Sequence, residues 1–162
     1  MSEEIGVVDW DGYARVSEGE WTGWSYWPGD AFEDMAGPFY MKFDADGRGR
    51  CAFRAEPRHM NGGGFMHGGC LLTFADSAIF AIARPELTGS HAVTMNLAGD
   101  FLDSARVGEL IEATGEVTRA GGKTIFVRGL ATADGRPVLS FTAIIRKVGR
   151  RDGHQSKPEV KQ

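Results

Sequence analysis

The chain has 162 residues, of which 42% are hydrophobic and 25% charged, and a formal net charge of -4. That is enough chain for one domain with a sizeable core, and no apolar run approaches the roughly 18 residues of a membrane span. The acidic balance argues against a phosphate-backbone binder, whose affinity comes from clustered positive charge, so neither nucleic acid nor a membrane is an expected partner.

In chain order, the first 27 residues hold all four tryptophans, Trp10, Trp21, Trp24 and Trp27, among acids and glycines without helical or strand period. They read as an arm packed across the domain. The opening Met1-Ser-Glu-Glu-Ile lacks the basic and apolar regions of a secretory signal, and Cys51 and Cys70 are too few for a disulfide framework, so a cytoplasmic, reducing setting is expected. Asp30 is placed to cap a short helix over Ala31 to Met35 that stops at Gly37-Pro38, a lid or brace.

Phe39 to Phe43, a turn at Asp44 to Gly47, and Arg50 to Ala55 predict a hairpin. Between Gly68 and Ala83, Leu71, Ala75, Ala78, Ile79 and Ile82 recur at helical spacing, so a largely buried helix is expected there. Four strands follow, at His91 to Leu102, Leu110 to Thr118, Thr124 to Thr132 and Val138 to Val148, with turns short enough for antiparallel hairpins at Ala120-Gly121-Gly122 and Asp134-Gly135. The expected organisation is an arm and short helix over residues 1–36, one domain over 37–149, and a disordered polar tail over 150–162. A hairpin, one central helix and a meander give an α+β class with an antiparallel sheet of five to six strands curved around one helix.

The segment that carries chemistry is Asn61-Gly-Gly-Gly-Phe-Met-His67-Gly68-Gly69, followed by the helix with its single acid, Asp76. Asn61, Gly68, Asp76 and Thr94, at spacings of 7, 8 and 18 residues, together with Val93-Thr94-Met95-Asn96, resemble the hotdog-fold acyl-CoA thioesterases, and among them the phenylacetyl-CoA type. The resemblance runs over about Gly37 to Val148. It implies a sheet wrapped around the central helix, sheets paired edge to edge in a homodimer or a homotetramer made of two dimers, and acyl-CoA bound at the dimer interface. Thr94 stands where the phenylacetyl-CoA type often has serine, and the tryptophan-rich arm is an addition to the minimal domain.

Each candidate residue has a physical role to play in that chemistry. Gly68 opens the helix, so its N–H lacks an intrahelical partner and sits in the positive end of the helix dipole, where a thioester oxygen gaining charge can be held. Asp76 is the only acid of the helix and would act either as nucleophile or as general base on a water; both routes stay open, the water route being preferred. Eight residues of helix separate the two by about 12 Å at about 1.5 Å per residue, so acting on one carbonyl would require Asp76 from a second subunit.

Thr94, read by strict alternation as sharing a face with Ala92, Asn96 and Ala98, is expected to position Asp76 or the water. Asn61 is expected to hold the water or the carbonyl. His67 fits a turn-fixing hydrogen bond better than a base. Gly69, Phe65 and Met66 are candidate substrate contacts, the last two equally suited to the core. Arg119, Gly122 and Lys123 in one turn and Arg106 in another are candidates for coenzyme A phosphates, although each also suits an ordinary solvated turn.

No short-spaced His or Cys ligand pair and no phosphate-binding glycine motif occurs, so no metal and no cofactor is expected. Two other functions use the same residues: a non-catalytic acyl-CoA-binding module, and an acyl-thioester hydratase or dehydratase that pairs His67 with Asp76.

Overall fold

The computed structural model describes residues 13–149; Trp10 and the expected polar tail lie outside them. The chain begins with β1 (Ala14–Arg15) and β2 (Ser25–Tyr26), then α1 (Ala31–Ala36), β3 (Tyr40–Phe43) and β4 (Gly49–Arg54). A 3-10 turn at Pro57–His59 leads to α2 (Gly68–Ile82), and a second at Arg84–Leu87 leads to β5 (His91–Phe101), β6 (Leu110–Ala120), β7 (Thr124–Ala133) and β8 (Arg136–Val148). No helix among the described residues is long and apolar enough to cross a membrane.

The strands form one antiparallel sheet in the order β1-β2-β3-β4-β6-β7-β8-β5. The expected hairpin is present, with Tyr40 opposite Ala52 and Phe43 opposite Gly49. Six strands make the body of the sheet, and the arm adds two more, so the count is eight rather than five to six. The additional pair escapes periodicity because each has two residues, too few to show alternation; they are held by aromatic packing instead. Trp21 stacks on Tyr40 of β3 with ring centroids 4.4 Å apart, and Trp24 meets Trp21 edge-on at 5.4 Å.

β5 leaves α2 and pairs only with β8, at the far edge from the arm. The helix therefore crosses beneath the sheet and touches strands from β3 to β8. Its buried stripe is Leu71, Phe74, Ala75, Ala78, Ile79 and Ile82, the spacing that puts apolar side chains on one helical face. Phe74 meets Phe39 and Phe53 edge-to-face, with centroids 5.3 and 4.8 Å apart, at the centre of the core. Gly115 and Gly129 are paired across β6 and β7. A Cβ on Gly115 would come within 2.8 Å of Ile82, and one on Gly129 would overlap the Phe141 ring, so the sheet closes on the helix where two side chains are missing.

The opposite stripe of α2, including Leu72, Thr73, Asp76 and Ser77, is only half-buried. The helix is thus less enclosed than its apolar period predicts. β5 also departs from strict alternation, because the register with β8 shifts between Thr94 and Asn96. Met95 is the extra residue of a bulge, and beyond it the inward positions are Leu97 and Gly99 rather than Asn96 and Ala98. Thr94 therefore shares its inner face with Ala92 and Leu97. Both cysteines are free thiols, Cys51 buried in β4 and Cys70 half-buried in the first turn of α2. Burial pushes both thiols up, that of Cys70 to about 11.

Candidate active site

The loop before α2 is built by its own polar groups. Asn61 Oδ1 accepts from the N–H groups of Gly63 and Phe65 at 2.8 and 3.3 Å, and the Asn61 N–H donates to the Phe65 carbonyl at 2.7 Å. Gly64 takes the positive φ of 81° that the turn needs. Asn61 thus spends its oxygen on the loop, leaving the Nδ2 amide as the group available to a ligand. Beneath it, the buried His59 accepts the Glu56 N–H on Nδ1 at 3.0 Å and the His67 N–H on its carbonyl at 2.8 Å, tying the loop to the helix start. Burial lowers the His59 pKa.

His67 caps α2, its Nδ1 accepting the Gly69 N–H at 2.9 Å. That matches the turn-fixing reading and occupies the Gly69 donor. The Gly68 N–H makes no hydrogen bond among the described residues. It stands at the first helical position, where a backbone donor and the helix dipole point the same way. The Phe101 ring lies over Gly68, 3.0 Å from where a Cβ would be.

Two turns on, Asp76 is half-buried and accepts a hydrogen bond from the Thr94 hydroxyl at 2.7 Å. The two residues picked out together do meet, and the carboxylate is partnered rather than bare. Asp76 faces a cavity of about 340 Å³ lined by Leu72, Thr73 and Ser77 of α2, Leu97 of β5, and Asp30, Phe32 and Glu33 at the start of α1. A larger hollow of about 470 Å³ lies between the arm and β3 and includes no residue of α2; the smaller one has carboxyl groups that accept hydrogen bonds from hydroxyls, Asp76 from Thr94 and Glu33 from Ser77.

Glu33 is the residue that sequence reasoning missed. Asp30 caps α1 as expected, its Oδ1 accepting from the Phe32 and Glu33 N–H groups at 3.1 and 3.0 Å. Glu33 turns toward α2: its Oε2 accepts from the Ser77 hydroxyl at 3.1 Å, next to Asp76. Burial first, then the nearby Asp30, Asp34 and Asp76 charges, raise the Glu33 pKa to about 7 against the opposing Ser77 hydrogen bond. The cap signal located the helix, but only the docking of the arm decides which side chain it turns inward.

The remaining candidates fall into two groups. The Arg106 guanidinium lies 4.6 Å from the centroid of the Phe65 ring, near the start of α2. Arg119, Gly122 and Lys123 lie at the other end of β6, roughly 30 Å away at about 3.4 Å per residue. One chain therefore does not bring Arg106 and Lys123 to one ligand. The Lys123 carbonyl accepts the Lys147 N–H at 2.8 Å, which puts that turn at the Thr94 end of the sheet, since Thr94 pairs with Ile145. Met66 is buried in the core, 5% exposed, whereas the Phe65 ring is open to solvent.

A protein of Pseudomonas aeruginosa named as a candidate esterase, PA0474, is 33% identical over 112 residues, covering 68% of this chain and 84% of its own. The thioesterase superfamily profile matches residues 63–140, from the glycine-rich loop to β8. The chain belongs to the thioesterase superfamily. It is a thioester hydrolase with the hotdog fold.

Among solved structures, this thioesterase is similar to the Escherichia coli PaaI protein of the phenylacetic acid degradation operon, at TM-score 0.67 and 23% identity over 75% of this chain and 87% of that one. It is also similar to a Streptococcus pneumoniae thioesterase crystallised with coenzyme A, at TM-score 0.65 and 22% identity over 76% and 94%. A third neighbour, smu.793 of Streptococcus mutans bound to acetyl-CoA, has TM-score 0.62 and 25% identity over 70% and 91%. In this thioesterase, the Gly68 N–H has no partner among the described residues, and the Asp76 carboxyl eight residues further along the helix is held by the Thr94 hydroxyl.

Proposed function

We propose that the thioester is an acyl-CoA and that it is hydrolysed at a site shared by two copies of the chain. The observation that carries this reading is the placement of the two reactive groups along α2. Gly68 and Asp76 stand about 12 Å apart on one helix, too far for one carbonyl. A two-fold axis brings Gly68 of one protomer to Asp76 of the other and makes two equal sites. The edge of β5 supports such pairing: it is eleven residues long, unpaired on one side among the described residues, and carries Val93, Met95 and Phe101 exposed.

In this arrangement the Gly68 N–H polarises the carbonyl, and Asp76, oriented by Thr94, takes a proton from the attacking water. The Asn61 Nδ2 donor helps hold the carbonyl, and His67 and Gly69 keep the helix start in shape. Arg106 and Phe65 of one protomer and Arg119, Gly122 and Lys123 of the other then approach the same coenzyme A, which resolves their separation within one chain. The acetyl-CoA in the Streptococcus mutans neighbour supports coenzyme A as the thiol portion.

Phe32, Leu72 and Leu97 give the Asp76 cavity apolar walls, and its volume suits a medium-length or aryl acyl group. The free thiols of Cys51 and Cys70 agree with a reducing, cytoplasmic setting. The test is coenzyme A release from a panel of short, medium, long and aryl acyl-CoAs by wild type and Asp76→Asn, with the mass in solution measured alongside. Turnover of medium or aryl substrates by a dimer or tetramer, lost in Asp76→Asn, is the expected result; turnover by a monomer would overturn the shared site.

A further inference from the structure

Two carboxyl groups face one cavity, and their surroundings treat them differently. Asp76 has a hydroxyl donor on one oxygen. Glu33 has the Ser77 hydroxyl on Oε2, while its Oε1 is buried with no hydrogen-bond partner among the described residues. All the charged side chains lining the cavity are acidic: Asp30, Glu33 and Asp76. Asp34 adds a fourth carboxyl group from α1. From the other elements around Glu33, Tyr13 of the arm and Cys51 of β4 feel its charge, and both hold their own protons because burial pushes their pKa values up. Arg84 acts on Tyr13.

Resting on the acyl-CoA hydrolysis proposed above, we propose that Glu33 is the general acid of the reaction, paired with Asp76 as base. Two carboxyl groups on one cavity can divide acid and base work between them, and here the arm supplies one, whose pKa burial raises, and the central helix the other. As the water oxygen bonds to the acyl carbon, Asp76 takes its proton and the carbonyl electron pair moves onto oxygen. When that pair returns, the C–S bond breaks with its electrons going to sulfur, and the Glu33 carboxyl delivers its proton to the sulfur. Free acid and thiol leave. The proton now on Asp76 passes to the Glu33 carboxylate, directly or through water, and both groups return to their starting states.

The acid matters because of the company it keeps. A thiolate released beside Asp30 and Asp34 would be repelled by their charges, whereas a neutral thiol is not. With its pKa raised to about 7, Glu33 carries the proton in about half of the molecules at neutral pH, against almost none for an ordinary carboxyl.

The test compares wild type, Glu33→Gln, Ser77→Ala and Asp76→Asn on an acyl-CoA and on the nitrothiophenyl thioester of the same acid, whose thiolate leaves without a proton. Glu33→Gln is expected to lower turnover of the acyl-CoA by about 10²-fold and that of the nitrothiophenyl thioester by less than about threefold. Wild-type turnover of acyl-CoA falls as pH rises through about 7, where Glu33 loses its proton. Because the Ser77 hydrogen bond favours the carboxylate, Ser77→Ala moves that fall to higher pH.

A folding control comes from linkage. The Glu33 pKa is raised on folding, so its stabilising contribution is present below the ordinary value of about 4.5 and is lost as pH rises through about 7. Glu33→Gln therefore has a higher Tm than wild type above neutral pH. Equal losses on both thioesters, no loss on either, or a pH limb that Ser77→Ala does not move would each overturn the assignment. Wild type that releases no coenzyme A would overturn the hydrolytic reading and the acid together. An active wild type with a dead Asp76→Asn and an unaffected Glu33→Gln would overturn the acid alone.

Discussion

Along α2, the stripe turned into the sheet carries Leu71, Phe74, Ala75, Ala78, Ile79 and Ile82, all buried, while the stripe turned away carries Thr73, Asp76 and Ser77, half-buried around a cavity. Both stripes follow the same helical period on the same fifteen residues. The first supplies the apolar burial that holds the fold, and the second supplies polar groups that line the cavity. Stability and chemistry are thus assigned to opposite sides of one element, and substitutions should separate them.

The sharpest separation is expected at Asp76. Asp76→Asn should lower kcat/KM for an acyl-CoA by about 10³-fold, about 4 kcal/mol in the barrier, with no fall in Tm, since it removes a negative charge from an acidic cavity. Coenzyme A release and a melting curve check both halves. On the opposite stripe, Phe74→Ala should cost about 3 to 5 kcal/mol of stability in denaturant unfolding, because the ring leaves a void between Phe39 and Phe53.

Gly68→Pro probes the end of the helix where the two stripes begin. It deletes one N–H at the first helical position, where proline is tolerated, after a His67 whose ψ of 131° already suits a following proline. Turnover should fall by about 10²-fold with far-UV circular dichroism unchanged; full turnover would remove the N–H from the mechanism. The smallest effect belongs to Thr94→Ala, about tenfold in kcat with little change in KM, and Thr94→Ser should restore most of it. A loss of Tm in Thr94→Ala as large as that in Phe74→Ala would break the division between the two stripes.

Much of this was legible in the sequence, for local reasons. Asp30 before Ala31, the helical spacing after Gly68, and the glycines at the turns each act within a few residues, and the elements lie where they point. The pairing of β5 with β8 at the far edge is a long-range choice that no local pattern carries. The bulge at Met95 turned Leu97 inward where alternation had placed Asn96, because one unpaired residue reverses every side chain after it. At the site, the spacing of Asp76 and Thr94 carried a resemblance, and their side chains are 2.7 Å apart. Glu33 carried no such mark. Its position comes from where a short helix docks, held by the Arg58 guanidinium donating to the Met35 and Gly37 carbonyls and by the Ser77 hydroxyl donating to Glu33.

The two free thiols bear on how turnover can be watched. With the Cys70 thiol pushed up to about 11, only roughly one molecule in ten thousand carries its thiolate at neutral pH, and Cys51 is buried still more deeply. A colorimetric reagent that captures small-molecule thiolates will therefore report the product against a nearly silent background from Cys51 and Cys70. The same silence makes these two side chains an alarm: rapid labelling of either would signal that the first turn of α2 or the strand beneath it had come open.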